Sequence, residues 1–279
     1  MAAAVALAAV AAFGLYLGSR ELSRGLPRLG ATRACTVEAD GRVELTSSQM
    51  ANAATIAAVG LRRRMPEHAV VVALATAFQE SKLENLPNGD RDSVGLFQQR
   101  PSQGWGTPEQ IRDPQYAADR FYAALRKVKG WQEMRVTEAA QAVQRSAFPE
   151  AYEQWVDESK VLAKALVGDA SGAVACTVGR EPAMRGSAAA DALVRVLNRD
   201  WGKMAATVPA EQAGVAVSAT DARTGWRYAH WLVSHASDHG VKRVRFNDLQ
   251  WTAETGTWSR VPEEQRVTDR VVAEVFEEL

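Results

Sequence analysis

Residues 69–78 read Ala-Val-Val-Val-Ala-Leu-Ala-Thr-Ala-Phe, apolar on nearly every side apart from Thr76. Pro66 stands just before them and predicts a helix that runs to about Ser81. A helix that is apolar all round cannot lie on a surface, so it must be the central one of a helical domain. That constraint also places Glu80 at the C-terminal end of a buried helix. Apolar surroundings disfavour the charged form of a carboxylic acid and keep it protonated to higher pH.

The flanking sequence supplies helices to surround the central one. Ser47 or Ser48 caps a helix through about Arg63, with Ala and Ile on its inner face. Residues 85–93 are dense in turn formers and predict a loop. Thr107-Pro108-Glu109-Gln110 is an N-cap, an N1 proline and a capping-box glutamine. Asp113-Pro114 starts the next helix, packed through Tyr116, Phe121 and Leu125. Thr137 caps another through about Ser146. Pro149 opens a last one with Tyr152, Trp155, Val156 and Leu162. Residues 168–186 hold Asp-Ala-Ser-Gly and Cys-Thr-Val-Gly-Arg-Glu-Pro runs and read as a linker.

Beyond the linker the pattern mixes periods. Residues 188–197 predict a helix, residues 213–219 a strand alternating around Val215 and Val217, and residues 226–239 an amphipathic helix. Residues 241–246 alternate as a strand, and residues 251–258 predict a hairpin. Residues 262–279 read as a charged helix with Val267, Val271, Val275 and Phe276 inward. The expected organisation is a signal sequence or membrane anchor (1–18), a linker (19–34), a helical domain (35–178), a second linker (179–186) and a small α+β domain (187–279). The fold class expected is α+β overall, with an all-α first domain. No internal repeat is evident.

The chain has 279 residues, enough for two modest domains. Its 33 basic residues balance its 33 acidic ones, so it offers no global field for nucleic acid. The N-terminus departs from this average. Residues 2–17 are a charge-free apolar run, slightly short for a spanning helix, and Arg20, Arg24, Arg28 and Arg33 follow it. No Lys or Arg precedes the run, so the basic n-region of a signal peptide is missing. The positive-inside rule places the arginine side in the cytoplasm. The two cysteines, Cys35 and Cys176, argue the other way. They bracket the helical segment after an export-like run and read as a disulfide, with two buried thiols as the alternative. The expectation is a single-pass anchor with the bulk of the chain outside, or a secreted protein.

The chemistry gathers around Glu80. The following loop carries Asn85, Asn88, Asp90, Asp92 and Ser93, and the glycine turn after it presents Gln98 and Gln99. Such a set can protonate a leaving oxygen and hold hydroxyl and acetamido groups. Asp90 and Asp92 are the nearby candidates for a second carboxylate, and loop capping is their plainer role. Trp105, in Gln103-Gly104-Trp105-Gly106, can stack on a pyranose ring or pack within its loop. His235 and His239 are four apart on a helix, with His230 and Asp238 nearby. A zincin glutamate and a third ligand are both missing, so no metal and no cofactor are expected, and a zinc peptidase is a distant reading. Trp226, Trp231, Trp251 and Trp258 serve either a core or a glycan- or peptide-binding surface.

Glu80-Ser81, a loop, then Ser93-Val94-Gly95-Leu96-Phe97-Gln98-Gln99-Arg100-Pro101 resembles the lytic transglycosylase and goose-type lysozyme superfamily, over roughly residues 45–166, about half of the chain. The turn is similar to that family's Gly-Leu-Met-Gln-x-x-Pro motif. The resemblance implies a lysozyme-like first domain, Glu80 as the single catalytic acid, and Ser93 and Gln98 near the sugar cleft. It also implies peptidoglycan glycan strands as partner, cut between N-acetylmuramic acid and N-acetylglucosamine. Residues 144–152, from Gln144 to Tyr152, loosely resemble a Gln-Ser-x-x-Pro-x-x-Tyr element of actinobacterial exported wall proteins. Residues 225–233, with Gly240-Val241 and Trp251, are similar to a C-terminal module on many such hydrolases. One departure stands out. Many lytic transglycosylases carry Ala-Tyr-Asn-Ala-Gly, whose tyrosine sets the acid, where this chain reads Ala142-Val143-Gln144-Arg145-Ser146. Without that tyrosine, the rival expectation is a non-catalytic wall-binding or scaffold protein.

Overall fold

The computed structural model describes residues 35–179, 182, 184–203, 206–207 and 214–278. The expected anchor and first linker lie outside the described residues. Among the described residues, no helix is long and apolar enough to cross a membrane. The described residues form an α+β fold with two antiparallel sheets.

The chain enters as β1 (Cys35–Glu38) and β2 (Arg42–Leu45). Helix α1 (Ser47–Arg62) follows, capped one residue earlier than expected by Thr46 in a full capping box with Gln49. Helix α2 (Glu67–Ser81) begins after Pro66 and buries every residue from Ala69 to Phe78. It packs against α1, α4 (Pro114–Leu125), α5 (Val136–Gln144) and α6 (Val156–Leu166), so it is central as its composition demanded. The short α3 (Pro108–Ile111) carries the expected Thr107 and Gln110 capping box. Helix α5 starts at Val136 after Arg135, and Thr137 lies inside it. The last helix of this half begins at Val156, and Pro149 lies in the loop before it.

The first half is not purely helical. β3 (Val174–Cys176) returns beside β1, giving a three-stranded sheet in the order β2-β1-β3. Strands of three and four residues are too short to announce themselves by alternation, which is why the sequence suggested only helices. Cys35 and Cys176 are opposite each other in the β1–β3 register and are joined as a disulfide. The bridge spans a sequence separation of 141. In the chain-entropy account a loop of that size stabilises the fold by about 5 kcal/mol. Reduction is therefore expected to lower the denaturant midpoint strongly. An unchanged midpoint with both thiols labelled would contradict this.

The second half is α7 (Gly186–Trp201), β4 (Ala206–Thr207), β5 (Gly214–Ser218), α8 (Ala222–Ser234), α9 (Ala236–His239), β6 (Val241–Asn247), β7 (Leu249–Thr252), β8 (Trp258–Arg260) and β9 (Val267–Val275). The sheet order is β4-β5-β9-β6-β7-β8. β9 corrects the expected C-terminal helix. It is a central strand, bonded to β5 on one side and β6 on the other. The spacing of Val267, Val271 and Val275 is four, which fits one helix face and, being even, one strand face equally. The burial of Val271, Ala273 and Val275 follows the strand period. The density of Val and Thr between positions 267 and 275 favours a pleated surface.

Buried side chains of the two halves join in one hydrophobic cluster. Trp226, Trp231 and Trp251 are core residues, and Trp258 donates from Nε1 to Val174 O at 2.7 Å. His230 stitches the halves together: Nε2 accepts from the Ala173 N–H at 2.9 Å, and Nδ1 donates to Ala165 O at 2.8 Å. Asp200, fully buried, accepts from Thr55 Oγ1 at 2.8 Å and from Trp231 Nε1 at 3.0 Å.

His230 predicts acid lability. Burial pulls its pKa down from 6.5 to about 4, because protonating Nε2 would leave a buried charge and remove the acceptor for Ala173. A depressed histidine contributes stability above pH 6.5 that is lost as pH falls toward 4, here about 3 kcal/mol at most. Unfolding free energies between pH 7 and 4 are expected to fall, with a shallower slope in His230→Gln. The same slope in both proteins would contradict the assignment.

Candidate active site

Glu80 lies on the last turn of α2, half-buried. The helix stops directly after it because Lys82 (φ 58°) and Leu83 (φ 62°) both adopt the left-handed conformation. Two consecutive non-glycine residues in that region carry backbone strain, a feature often concentrated at functional sites. Ser81 ties the helix end to the glycine turn, its Oγ lying 2.7 Å from Leu96 O. Gly95 sits at φ 77°, and a Cβ there would come within 2.7 Å of Ile111 O, so the turn needs glycine. Leu96 and Phe97 point into the core, where Phe97 stacks on Phe121.

Tyr152 supplies what the sequence seemed to lack. Its hydroxyl donates to Glu80 Oε1 at 2.8 Å, and its side chain is fully buried. Gln144, at the end of α5, donates to Phe97 O at 2.7 Å and lies close enough to Glu80 to favour its charged form. Burial dominates and raises the Glu80 pKa above 4.5, while the bonds from Tyr152 and Gln144 act in the opposite sense. The Tyr152 hydroxyl is itself pushed well above its ordinary value, first by burial and then by the Glu80 charge. Glu80 is thus a half-buried acid held by the Tyr152 hydroxyl, able to give a proton and take one back.

The remaining residues divide by role. Ser93 Oγ donates to Gln98 Oε1 at 3.0 Å, and Gln98 Nε2 donates to Gly95 O at 3.1 Å, so both brace the loop. Gln99 is buried and donates to Ala117 O at 3.1 Å, fastening the turn to α4. Asp92 accepts from Arg100 Nε at 2.7 Å and from the Ser102 N–H at 2.8 Å. These bonds hold its carboxyl far below the usual range, so it is a fixed anion and a loop clamp. Asp90 is almost fully exposed.

Trp105 and Gln144 line a groove of about 650 Å³, and Glu80 itself is not part of that lining. On the other flank Trp155 stacks on Phe78 with ring centroids 5.2 Å apart, and its Nε1 donates to Gln79 Oε1 at 2.9 Å. Lys82 Nζ lies over the same indole, 3.9 Å from the ring centroid. In the second half, both ring nitrogens of His230 are engaged by backbone. His235 is buried, with Nδ1 2.9 Å from Trp231 O.

The chain matches no protein-family model and no curated protein.

Proposed function

We propose that this protein cuts the glycosidic bond between N-acetylmuramic acid and N-acetylglucosamine in peptidoglycan, with Glu80 as its single acid and base. The observation that carries the reading is the half-buried Glu80 carboxyl, bonded to Tyr152 at 2.8 Å and partnered by Gln144 beside an open groove. Protonated Glu80 gives its proton to the glycosidic oxygen as that bond breaks. The sugar's 2-acetamido carbonyl stabilises the oxocarbenium-like centre. Glu80, now a carboxylate, takes the proton of the C6 hydroxyl as that oxygen closes a 1,6-anhydro ring, which restores the acid. Water admitted in place of the C6 hydroxyl gives hydrolysis by the same residue.

The Cys35–Cys176 bridge fits an oxidising compartment, and so a membrane-anchored or secreted protein acting outside the cell. Dye-labelled sacculi incubated with the protein are expected to release soluble fragments. Retention of the protein on sacculi with no release would instead favour the non-catalytic wall-binding role.

A further inference from the structure

Arg120, Lys127 and Arg145 line the groove shared by Trp105 and Gln144, and no Asp or Glu lines it. Among the described residues, none of the three is paired with a carboxylate, although most other described Arg residues are: Arg62, Arg63, Arg100, Arg135, Arg199, Arg223, Arg243 and Arg245 all have one within 4.0 Å. In a chain of zero net charge, three unpaired cations around one concavity form a local field that the composition hides. Arg120 also donates to Gly104 O, which steadies it beside Trp105. A concave wall of one sign focuses its potential into the groove.

We infer that this groove reads the carboxylates of its glycan: the indole of Trp105 offers an apolar face to a pyranose, while Arg120, Lys127 and Arg145 take acidic substituents along the strand. The substrate class is an anionic N-acetylated glycan, and an uncharged polymer of N-acetylglucosamine is discriminated against. The inference rests on the proposed cleavage reading for the identity of the glycan but not for the charge of the groove. The carboxylate has two sources, the free lactyl group of a stripped strand or the stem peptide of an intact one.

Calorimetric titration of the full chain tests it with three probes of matched length: amidase-stripped glycan strands, strands bearing stem peptides, and chitooligosaccharides. The expected result is tighter binding of at least one carboxylated probe than of chitooligosaccharide, weakened as salt shortens the Debye length. In Arg120→Gln/Lys127→Gln that preference should shrink about tenfold, while chitooligosaccharide affinity falls by much less. Tightest binding by the stripped strands assigns the lactyl carboxylate, and tightest binding by the peptide-bearing strands assigns the stem. Equal affinity for all three probes, or an equal loss for charged and neutral probes in the variant, overturns the inference. Charge preference without turnover keeps it and removes the cleavage reading; turnover without charge preference does the reverse.

Discussion

Glu80→Gln is expected to lower kcat by at least about 10²–10⁴-fold, the usual contribution of a positioned general acid. The amide is nearly isosteric, and its oxygen can still accept from Tyr152, so the fold should persist. It has no carboxylic proton to give. Stability supplies a second readout. Burial raises the Glu80 pKa, so the carboxyl stabilises the fold below its unfolded pKa and this contribution is lost as pH rises through the folded value. The glutamine variant should therefore match or exceed the wild-type melting temperature at pH 8. Undiminished turnover in this variant would remove Glu80 from the mechanism.

Tyr152→Phe is expected to be the next largest effect. It deletes the hydroxyl 2.8 Å from Glu80 while keeping the buried ring. A hydrogen bond to a charged group is worth about 1.5–3 kcal/mol, so kcat should fall about 10- to 100-fold. A purely structural tyrosine would act on stability alone, so the pH profile decides. Activity requires protonated Glu80 and falls as pH rises through its pKa. The tyrosine bond lowers that pKa, and without it the alkaline limb of kcat/KM should move to higher pH. An unmoved limb would reduce Tyr152 to a packing residue.

Much of the site was written locally. The apolar run 69–78 fixed a central helix, and Glu80 necessarily fell at its end. The Gly95 turn was legible because a tight approach to Ile111 O demands glycine. Tyr152 was not legible as a partner of Glu80, because 72 residues separate them and only the packing of α2 against the 145–155 segment brings them together. The loose Gln144-to-Tyr152 element was the available signal, and both of its ends reach the acid. Gln99 looked like a sugar reader beside Gln98, yet its side chain turns inward to α4, a difference that polarity alone does not encode. The β9 strand escaped because a spacing of four serves helix and strand alike. The groove's charge escaped because Arg120 and Lys127, on and just after α4, and Arg145, just after α5, lie on separate stretches of a neutral chain.

The central claim is that Glu80 is the acid that breaks the glycan. Mass spectrometry of purified peptidoglycan after incubation with wild type, beside Glu80→Gln, tests it most directly. The account predicts anhydro-muropeptides made by the wild type and absent with the variant; reducing-end products with the same dependence would make the enzyme a muramidase using the same acid. Identical products from both proteins, or none from the wild type, would contradict it.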